Sequence, residues 1–373
     1  MPSLSYVVNS LEPGAIPNLL LAIVPYLRER GWQISFICLQ KLPPDLAAVK
    51  MIKTKGLPLY FLDCHPWAIP VAFFKLKKLL KRLKPDLLHS HLGRADIITA
   101  LAKDKTTPQV ATLHSVRRNF SKMTLAGFKL IDSRLALRTA VSAAVIDSFY
   151  RNGFLRSPHL VIYNPINEEH LKVKKGSGQI RQELKIPPHG LVLLTVGRLM
   201  PVKGHHILLR AFGDVLLRKN IYLLLAGTGP LEKKLKQLAQ HLGIADYIRW
   251  LGFYPAIADL INSCDLMVFP SLWEGMGLAP LEGLWLKCPQ VLSDLPALRE
   301  WVPEGDGITF CPPGEYKALA ASINMMLEKP RQKIDEYFKN IWPGLKEKFL
   351  APSIANQYLT VYEKLLIKRE EAL

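Results

Sequence analysis

The sequence has few acidic residues, few cysteines and no long apolar run. Asp and Glu number 31 against 49 Lys and Arg, which leaves a formal net charge of +18 over 373 residues. The five cysteines are scattered without a CxxC pair, so they argue against a disulfide framework or a zinc motif and indicate reduced thiols in a core. No stretch approaches the ~20 apolar residues that a membrane-spanning helix needs. Such a helix is therefore not predicted.

The amino-terminal stretch lacks the basic region of a signal peptide. Glu12, Pro13 and Pro17 interrupt its apolar run, so a secretory signal is not predicted. Together with the scattered thiols, this favours a cytoplasmic protein. We expect it either in the cytoplasm or at the inner face of the cytoplasmic membrane.

The excess of positive charge predicts an anionic partner, such as a nucleotide, a nucleic acid or an anionic membrane. Part of it lies in residues 71–84, from Val71 to Lys84, where six cationic residues lie among apolar ones near helical spacing. A basic amphipathic helix of this kind suits the surface of an acidic membrane. An ordinary packed helix with a solvated basic face explains the pattern equally well. Zinc-finger spacing, an RNP-like motif and a basic tail are lacking, so no nucleic-acid partner is predicted.

Short apolar runs alternate with helical patterns along almost the whole chain. Strands are predicted at residues 4–9, 33–39, 87–90, 109–113 and 160–162, then at 191–196, 221–226, 266–269, 291–292 and 308–310. Helices are predicted at residues 18–30, 71–84, 95–102 and 143–151, then at 205–217, 231–242, 255–262, 278–286 and 316–327. Apolar strands separated by helices indicate parallel sheets covered on both faces, which is a doubly wound α/β architecture.

The length favours two domains, and residues 172–188 are predicted as the linker between them because they are rich in Lys, Gly, Ser and Pro. Residues 1–171 and 189–350 would each form a Rossmann-like domain. Residues 351–373 are predicted as a helix that could pack back on either domain, and the N-terminal domain is preferred. Ligands bind outside the carboxyl ends of strands in such sheets, so the loops after the strands, facing a cleft between two domains, are the candidate site.

Two loops of the second half suit a phosphate-bearing ligand. After strand 191–196, Arg198 and Lys203 lie between Gly197 and Gly204. Arg198 can grip phosphate oxygens with two hydrogen bonds, and Lys203 supplies a point charge. After strand 221–226, a turn containing Gly229 lets the backbone approach a ligand closely. A solvated loop cation or a plain tight turn is the alternative for each feature taken alone.

A third loop, after strand 266–269, is the most informative. Glu274 precedes two glycines, Gly275 and Gly277, and a helix is predicted to start just after them. Free N–H groups at a helix N-terminus form a ready anion site. Glu274 can accept hydrogen bonds from sugar hydroxyls, and Glu282, about two turns further along, could accept from a ribose. A surface carboxylate is the alternative for Glu282.

The third loop resembles the Glu-x7-Glu signature of glycosyltransferase family 4, a retaining family with the GT-B fold of two Rossmann-like domains facing across a cleft. The signature runs from Glu274 to Glu282. Further similar segments follow the family's order over nearly the whole chain. They are Asn9-Ser10-Leu11, His89-Ser90-His91, His114, Val141-Ser142, Asn164-Pro165, Val196-Gly-Arg-Leu, Lys203-Gly204, Gly227-Thr-Gly-Pro-Leu, Leu251-Gly-Phe, Asp265-Leu266 and Val268-Phe-Pro-Ser271.

The resemblance implies a nucleotide-sugar donor on the second domain and an acceptor on the first. Catalytic roles would fall to Arg198 and Lys203 at the diphosphate, to Glu274 at the donor sugar and to His114 near the reacting centre. Glu282 would bind the ribose. The remaining donor-binding residues would act mainly through their backbone; they are Gly14, Gly197, Gly229, Gly275, Met276, Gly277 and Leu278.

Several positions depart from the family's pattern. The loop from Pro13 to Pro17 lacks one glycine and the acidic residue usual after the first strand. Lys287 stands where a glycine is usual, and the usual glycines are missing before Glu300. These changes bear on the phosphate side of the first domain and on the donor-sugar pocket.

The sequence therefore predicts a retaining hexosyltransferase. Its donor would be a UDP-sugar by preference or GDP-mannose, and its acceptor a lipid-linked or surface glycan such as lipopolysaccharide. A nucleotide-sugar hydrolase or epimerase on the same fold, and a non-catalytic partner subunit, are the alternatives.

No metal or other cofactor is predicted, because Asp-x-Asp does not occur and two cations already serve the diphosphate. His89 and His91, two residues apart near a strand end, would face the same side. A zinc pair is the alternative interpretation, but no third ligand is evident, so we expect satisfied loop histidines.

Overall fold

The computed structural model describes residues 1–12, 14–65, 67–217 and 220–371, with the backbone alone at Ala15. Pro13 of the predicted loop and the last two residues of the predicted helix 351–373 lie outside these ranges. The chain divides into two compact units. The N-terminal unit comprises Met1–Asn167 and Lys348–Leu373, and the C-terminal unit comprises Glu168–Glu347.

The N-terminal unit is built on a parallel sheet of seven described strands. They are β1 (Ser3–Val8), β2 (Gln33–Cys38), β3 (Leu59–Phe61), β4 (Leu87–His91), β5 (Gln109–Leu113), β6 (Leu137–Ala140) and β7 (His159–Val161). Their order in the sheet is β3-β2-β1-β4-β5-β6-β7. The chain reverses its direction of travel across the sheet between β1 and β4, so ligands of such folds bind beside the carboxyl ends of these two strands.

Helices cover both faces of this sheet. They are α1 (Ala15–Glu29), α2 (Ala47–Thr54), α3 (Ile69–Leu83), α4 (Gly93–Ala102), α5 (Lys122–Ile131), α6 (Ala143–Tyr150) and, at the end of the chain, α15 (Ala351–Glu371). Residues of α1, α2 and α15 form one apolar core with β1 and β2, and α3 and α4 form another on the opposite face. Tyr362 of α15 is fully buried in the first of these cores.

The C-terminal unit repeats the architecture. Its described strands are β8 (Leu191–Val196), β9 (Ile221–Ala226), β10 (Ile248–Gly252), β11 (Leu266–Phe269), β12 (Gln290–Ser293) and β13 (Ile308–Cys311), in the parallel order β10-β9-β8-β11-β12-β13. Its helices are α7 (Ser177–Glu183), α8 (His205–Leu216), α9 (Glu232–His241), α10 (Ile257–Ser263), α11 (Leu278–Trp285), α12 (Pro296–Arg299), α13 (Tyr316–Glu328) and most of α14 (Arg331–Phe349). The predicted parallel α/β architecture is confirmed in both units.

The structure differs from the sequence prediction where elements are short or amphipathic. Strands β3, β6 and β10 and helices α2 and α5 were not predicted, because three to ten residues carry little periodicity. Residues 172–188, predicted as a linker, contain α7 and belong to the C-terminal unit. Ile180 of this helix is buried, and the Arg181 guanidinium pairs with the Asp265 carboxylate at 2.8 Å. One buried residue and one ion pair anchor α7 in spite of its polar composition.

None of the described helices is long and apolar enough to cross a bilayer. The cysteines lie in the two units as free thiols, and four of them are buried. Cys264 and Cys288 are separated by 24 residues, yet their sulfur atoms lie 3.4 Å apart.

Candidate active site

The candidate site of the C-terminal unit lies where its sheet reverses direction, between the adjacent strands β8 and β11. The loops after these two strands carry the predicted cations and the predicted Glu274. Because both strands are parallel, their carboxyl ends and the loops that follow lie at one edge of the sheet. The order of the strands therefore places segments about 70 residues apart in sequence side by side.

Glycines allow these loops to pack backbone against backbone. Leu199 N–H donates to the Thr228 carbonyl at 2.9 Å, and Leu272 N–H donates to the Val202 carbonyl at 2.8 Å. A Cβ on Gly229 would lie 2.5 Å from the Leu199 carbonyl oxygen. Only glycine fits there, so the turn after β9 can pack against the loop after β8.

Gly204 faces a stronger constraint at the start of α8. Its φ is +64°, and a Cβ there would lie 2.0 Å from the Pro270 carbonyl oxygen. An L side chain would be strained in this backbone conformation and would also clash with the loop after β11. At Gly197, by contrast, a Cβ would make only ordinary contact with the Lys203 side chain, at 3.7 Å.

Lys203 and Glu274 meet across these loops. The Lys203 ammonium lies 2.6 Å from the Glu274 carboxylate, and the Ser271 hydroxyl donates to the same oxygen, Oε1, at 2.8 Å. The Glu274 side chain is 10% exposed and that of Lys203 is 29% exposed, so the pair is shielded from water but can be reached. A lysine has three donors, and two of them remain for a further anion beside Glu274.

Arg198, the other predicted cation, is exposed, and its guanidinium forms no ion pair within the described ranges. It lies on the same loop as Lys203, five residues earlier. The structure therefore pairs one predicted cation with a carboxylate and leaves the other available for a ligand.

The loop after Glu274 is fixed by its buried residues. Gly277 has φ +85° and is the residue before the first turn of α11, which begins at Leu278. Met276 is buried, and its carbonyl accepts a hydrogen bond from the Trp301 indole N–H at 3.0 Å. Gly275 is buried beside it. Held in this way, the backbone N–H groups at the start of α11 are positioned to bind an anion.

Glu282 lies on α11 and is partly buried. Its carboxylate has no hydrogen-bond or ion-pair partner among the described residues. Burial raises the pKa of this carboxyl group to about 7. A ligand that donates hydrogen bonds would stabilise the ionised form, so this residue is poised to accept from hydroxyl groups.

One position at which the chain departs from the family's pattern, Lys287, and one that matches it, Asp265, have structural accounts. Lys287 adopts φ +56°, the left-handed conformation that a glycine accepts without strain, and its ammonium lies 5.1 Å from the centre of the Trp342 ring. Asp265 accepts a hydrogen bond from Val192 N–H at 2.7 Å and pairs with Arg181. It therefore braces the amino end of β8, at the opposite edge from Lys203 and Glu274.

In the N-terminal unit, His114 follows β5 and lies partly buried beside a cluster of buried rings. Its Nε2 lies 2.9 Å from His91 Nδ1. The His89 ring is 4.2 Å from that of His91, and its nitrogens contact the Tyr362 hydroxyl at 2.6 Å and the Thr112 hydroxyl at 2.7 Å. His89 and His91 face the same side, as predicted, but they lie within β4 and not in a loop.

Burial keeps these imidazoles neutral. It lowers the pKa of His114 to about 4 and that of His89 to about 3, and it holds the pKa of His91 well below its usual range. Neighbouring imidazoles contribute to the shifts of His89 and His91. Nδ1 of His114 and Nε2 of His91 are buried without a hydrogen-bond partner in the described chain. In all described ranges, no group of three His, Cys, Asp or Glu side chains could hold a metal ion.

Gly14, the other predicted residue of this unit, lies just before α1 and is exposed. Its backbone is extended, with φ 164°, and the atom nearest to an added Cβ would be the Glu12 carbonyl oxygen at 3.9 Å. Neither conformation nor space requires glycine here within the unit.

Sequence reasoning missed two residues that shape the sites. Ser271 lies inside a quoted motif, and its position three residues before Glu274 was an available signal. Tyr362 had none, because it contacts His89 across 273 residues of sequence. Only the packing of α15 on the N-terminal sheet brings that hydroxyl to the imidazole.

Comparison with protein families gives two matches that together cover most of the chain. Residues 177–341 match the family described as glycosyl transferases group 1, and residues 17–170 match glycosyltransferase family 4. Among curated relatives, N-acetyl-alpha-D-glucosaminyl L-malate synthase of Bacillus anthracis is 26% identical over 359 residues, covering 91% of each chain. The lipopolysaccharide core biosynthesis glycosyltransferase LpsD of Rhizobium meliloti is 28% identical over 194 residues, covering 51% of this chain and 54% of LpsD.

Among solved structures, Anabaena HepE in complex with UDP and glucose superposes with a TM-score of 0.85. It is 23% identical, and the match covers 98% of this chain and all of HepE. The same protein in complex with UDP-glucose gives a TM-score of 0.84. This likeness, together with the two parallel sheets, shows the GT-B fold that the sequence predicted.

Proposed function

The chain belongs to glycosyltransferase family 4, and we propose that it transfers a hexose-type sugar from a nucleotide-sugar with retention of anomeric configuration. The acceptor we propose is a lipid-linked or surface glycan. The observation that carries this proposal is the Lys203–Glu274 pair, 2.6 Å apart at the carboxyl edge of the C-terminal sheet beside the glycine-rich start of α11. It combines a cation for phosphate with an acceptor for sugar hydroxyls.

Side chains of the C-terminal unit suit the diphosphate, the sugar and the ribose of the donor. Lys203, with the exposed Arg198 on the same loop, would neutralise the diphosphate without a metal ion. Glu274 and the N–H groups of the loop before α11 would hold the sugar, and the partnerless Glu282 carboxylate would accept from ribose hydroxyls. Uridine is the preferred nucleoside of the donor, because HepE has been solved with UDP and with UDP-glucose. GDP-mannose is the second choice.

In the proposed reaction, the acceptor hydroxyl oxygen bonds to the anomeric carbon on the face from which the diphosphate departs. The bond between that carbon and the phosphate oxygen breaks, and the hydroxyl proton passes to the departing phosphate. Lys203 and Arg198 stabilise the charge that develops on the nucleotide. The Glu274 carboxylate accepts a hydrogen bond from the Lys203 ammonium at 2.6 Å, so we assign it the role of holding the donor and not that of a nucleophile.

Product analysis tests this proposal. The purified protein is incubated with UDP-glucose or GDP-mannose, with and without a glycan acceptor, and the anomeric configuration of the product is read by NMR. A glycoside with the donor's configuration supports the proposal, and an inverted one contradicts it. Free sugar formed equally with and without acceptor would favour a hydrolase, and donor binding without turnover on any acceptor would favour a non-catalytic subunit.

We also propose that the N-terminal unit contacts an anionic membrane from the cytoplasmic side, where a lipid-linked acceptor would be presented. Helix α3 buries Leu76 and Leu79 in the core but leaves Val71 48% exposed and Phe74 68% exposed among its lysines. Exposed apolar anchors beside cations are typical of helices that lie in a membrane interface. Trp67, just before the helix, is 78% exposed.

Vesicle sedimentation at low salt tests the contact. Phe74→Ser should weaken binding to vesicles containing phosphatidylglycerol, and Met325→Ser, at an apolar residue that is 45% exposed in the C-terminal unit, is the matched control. Equal binding by both variants, or none by the wild type, would contradict the proposed contact.

A further inference from the structure

A polar cavity lies in the N-terminal unit at the amino ends of β4 and β5. Its volume is about 250 Å³, and Pro85, Leu88, Thr106 and Thr107 form part of its lining. That is below the ~300 Å³ at which pockets for drug-sized ligands begin, so the cavity suits a small group. At ~3.3 Å per residue, β4 separates this end from His91 by on the order of 15 Å. The cavity is thus distinct from the edge that carries His114.

Four cationic side chains from three parts of the chain line the cavity. Lys81 and Lys84 come from the end of α3, Lys103 from the end of α4 and Arg369 from α15. Asp104 is the one carboxylate among the lining residues that the structure describes. Even with the neighbouring Asp86, which pairs with Arg369, formal positive charges outnumber negative ones.

Several of these cations have donors that are not used. The ammonium groups of Lys81 and Lys84 form no hydrogen bond or ion pair within the described chain. The Arg369 guanidinium donates through Nη1 to the Asp86 carbonyl at 2.9 Å, but its Nε is buried and meets no acceptor in the described ranges. A buried donor without a partner costs free energy, which a bound acceptor would recover.

The lowered pKa of Lys103 is consistent with a local excess of positive charge. Its ammonium donates to the Thr107 carbonyl at 2.8 Å. Its pKa is lowered chiefly by burial and further by the nearby charge of Arg134. An anion in the cavity would offset both effects.

The carbonyl groups at the ends of α3 and α4 offer a competing explanation, because helix C-termini attract cations. This accounts for basic residues near those ends. It does not account for Lys81 and Lys84, whose ammonium groups donate to no carbonyl in the described chain, or for the unused Nε of Arg369.

We propose that this cavity binds a phosphate group, carried either by the head of an anionic lipid or by a soluble phosphate. Lys81 and Lys84 would supply point charges at the rim, and Arg369 a fixed donor further in. The proposal concerns binding alone and does not depend on the proposed transfer reaction.

The test compares two double variants of the full-length protein that remove the same charge from the same helix. Lys81→Gln with Lys84→Gln changes the cavity, whereas Lys77→Gln with Lys78→Gln changes exposed lysines that do not line it. Both pairs are solvent-exposed, so both proteins should fold. Inorganic phosphate is titrated by calorimetry, and vesicles of phosphatidylcholine with or without phosphatidylglycerol are sedimented with each protein.

We expect the cavity variant to bind about tenfold more weakly than the control variant, as the loss of charge-assisted contacts implies. If inorganic phosphate shows this difference, the natural ligand is a soluble phosphate. If phosphatidylglycerol vesicles alone show it, the ligand is a lipid head. Equal loss in the two double variants on both probes would reduce the site to non-specific charge. Absence of wild-type binding to either probe would overturn the proposal outright.

Discussion

At the carboxyl edge of the C-terminal sheet, Lys203 and Glu274 hold opposite charges 2.6 Å apart among glycine-rich turns. At the same edge of the N-terminal sheet, His91 and His114 share a neutral hydrogen bond among buried rings. The two units have the same parallel architecture and place their loops by the same rule. What differs is the chemistry of the loops: one edge offers charge and the N-terminus of α11, and the other offers uncharged donors and acceptors.

This contrast suggests how the work of a transferase is divided. A diphosphate needs cations that keep their charge, and the C-terminal edge leaves its pair partly open to water. Sugar hydroxyls can be bound by uncharged donors and acceptors, and under the proposed function the imidazoles of the N-terminal edge, which burial keeps neutral, would provide them.

The largest effect is expected from Lys203→Ala. The change removes the ammonium that would face the donor's phosphate, and it leaves the Glu274 carboxylate without its ion-pair partner. We expect turnover with the preferred nucleotide-sugar to fall about 10²–10³-fold, as when one group that stabilises transition-state charge is lost. Steady-state transfer assays measure this loss directly.

Lys236→Ala is the matched control, because Lys236 also pairs with a glutamate, Glu232, at 2.7 Å on the surface of the same unit. Turnover within twofold of wild type in both variants would show that the charged edge is not where the donor reacts. The proposed difference between the charged C-terminal edge and the neutral N-terminal edge would then have no bearing on the reaction.

A smaller effect, on stability, is expected from Tyr362→Phe in the N-terminal unit. The change keeps the buried ring but leaves His89 Nδ1 without its partner at 2.6 Å. An unsatisfied buried group costs about 1–3 kcal/mol of the free energy of unfolding. Urea unfolding measures this cost.

Tyr316→Phe, at a partly buried tyrosine of the C-terminal unit, should change the free energy of unfolding by much less. If the two substitutions cost the same, the hydroxyl of Tyr362 is not what holds the imidazole cluster together.

Acid should weaken the N-terminal unit more than the C-terminal unit, where burial also lowers the pKa of His205, to about 4. Burial lowers the folded-state pKa of His89 to about 3 and of His114 to about 4, so below their ordinary pKa of 6.5 the unfolded chain binds protons that the folded chain does not. Stability is therefore lost as pH falls below 6.5, by up to about 1.4 kcal/mol per pH unit for each histidine. Hydrogen exchange at pH 6.5 and 5.5, corrected for intrinsic rates, should show protection falling more in N-terminal than in C-terminal peptides. Equal losses in the two units would contradict this assignment.

The sequence predicted ten of the thirteen described strands and the positions of the glycine-rich loops that follow three of them. Residues 109–113, for example, were predicted as a strand, and β5 has the same bounds, because an apolar run in a parallel sheet is short and continuous. Lys203 and Glu274 could be found because their loops directly follow such strands. Their pairing at 2.6 Å was not predicted, since it depends on the order of β8 and β11 in the sheet.

The histidine cluster shows more clearly which contacts could not be predicted from the sequence. His89 and His91 were expected in a loop, but β4 extends to His91 and buries both rings. Tyr362, which fixes His89, lies in a helix that was expected to pack on the N-terminal domain, but its pattern did not indicate which residues it would contact. A contact made by the last helix with the middle of the first sheet depends on the whole chain and has no local signal.

The smallest effect expected is a pH dependence of donor binding through Glu282. Burial raises the pKa of this carboxyl group to about 7 in the unliganded protein. If the carboxylate accepts hydrogen bonds from the ribose, nucleotide-sugar affinity should rise by up to about tenfold between pH 6 and pH 8, as the ionised fraction grows. A nucleotide-sugar suits the titration because its diphosphate has no ionisation in this range. In Glu282→Gln this dependence should vanish, and in the exposed control Glu315→Gln it should persist.

The pH dependence of the free energy of unfolding gives an independent measure of the Glu282 pKa. Because the folded-state pKa of Glu282 is raised from 4.5 to about 7, the folded chain keeps a proton that the unfolded chain releases in that window. The free energy of unfolding should therefore fall as pH rises from 4.5 to about 7, by up to about 1.4 kcal/mol per pH unit. Glu282→Gln should not show this loss. This trend is opposite in sign to that of the histidines, so Glu282 should partly offset the loss of stability that acid causes through His205 in the same unit. Identical pH profiles for wild type and Glu282→Gln, in binding and in unfolding, would mean that this carboxyl group is already ionised, and the ribose role would then need another residue.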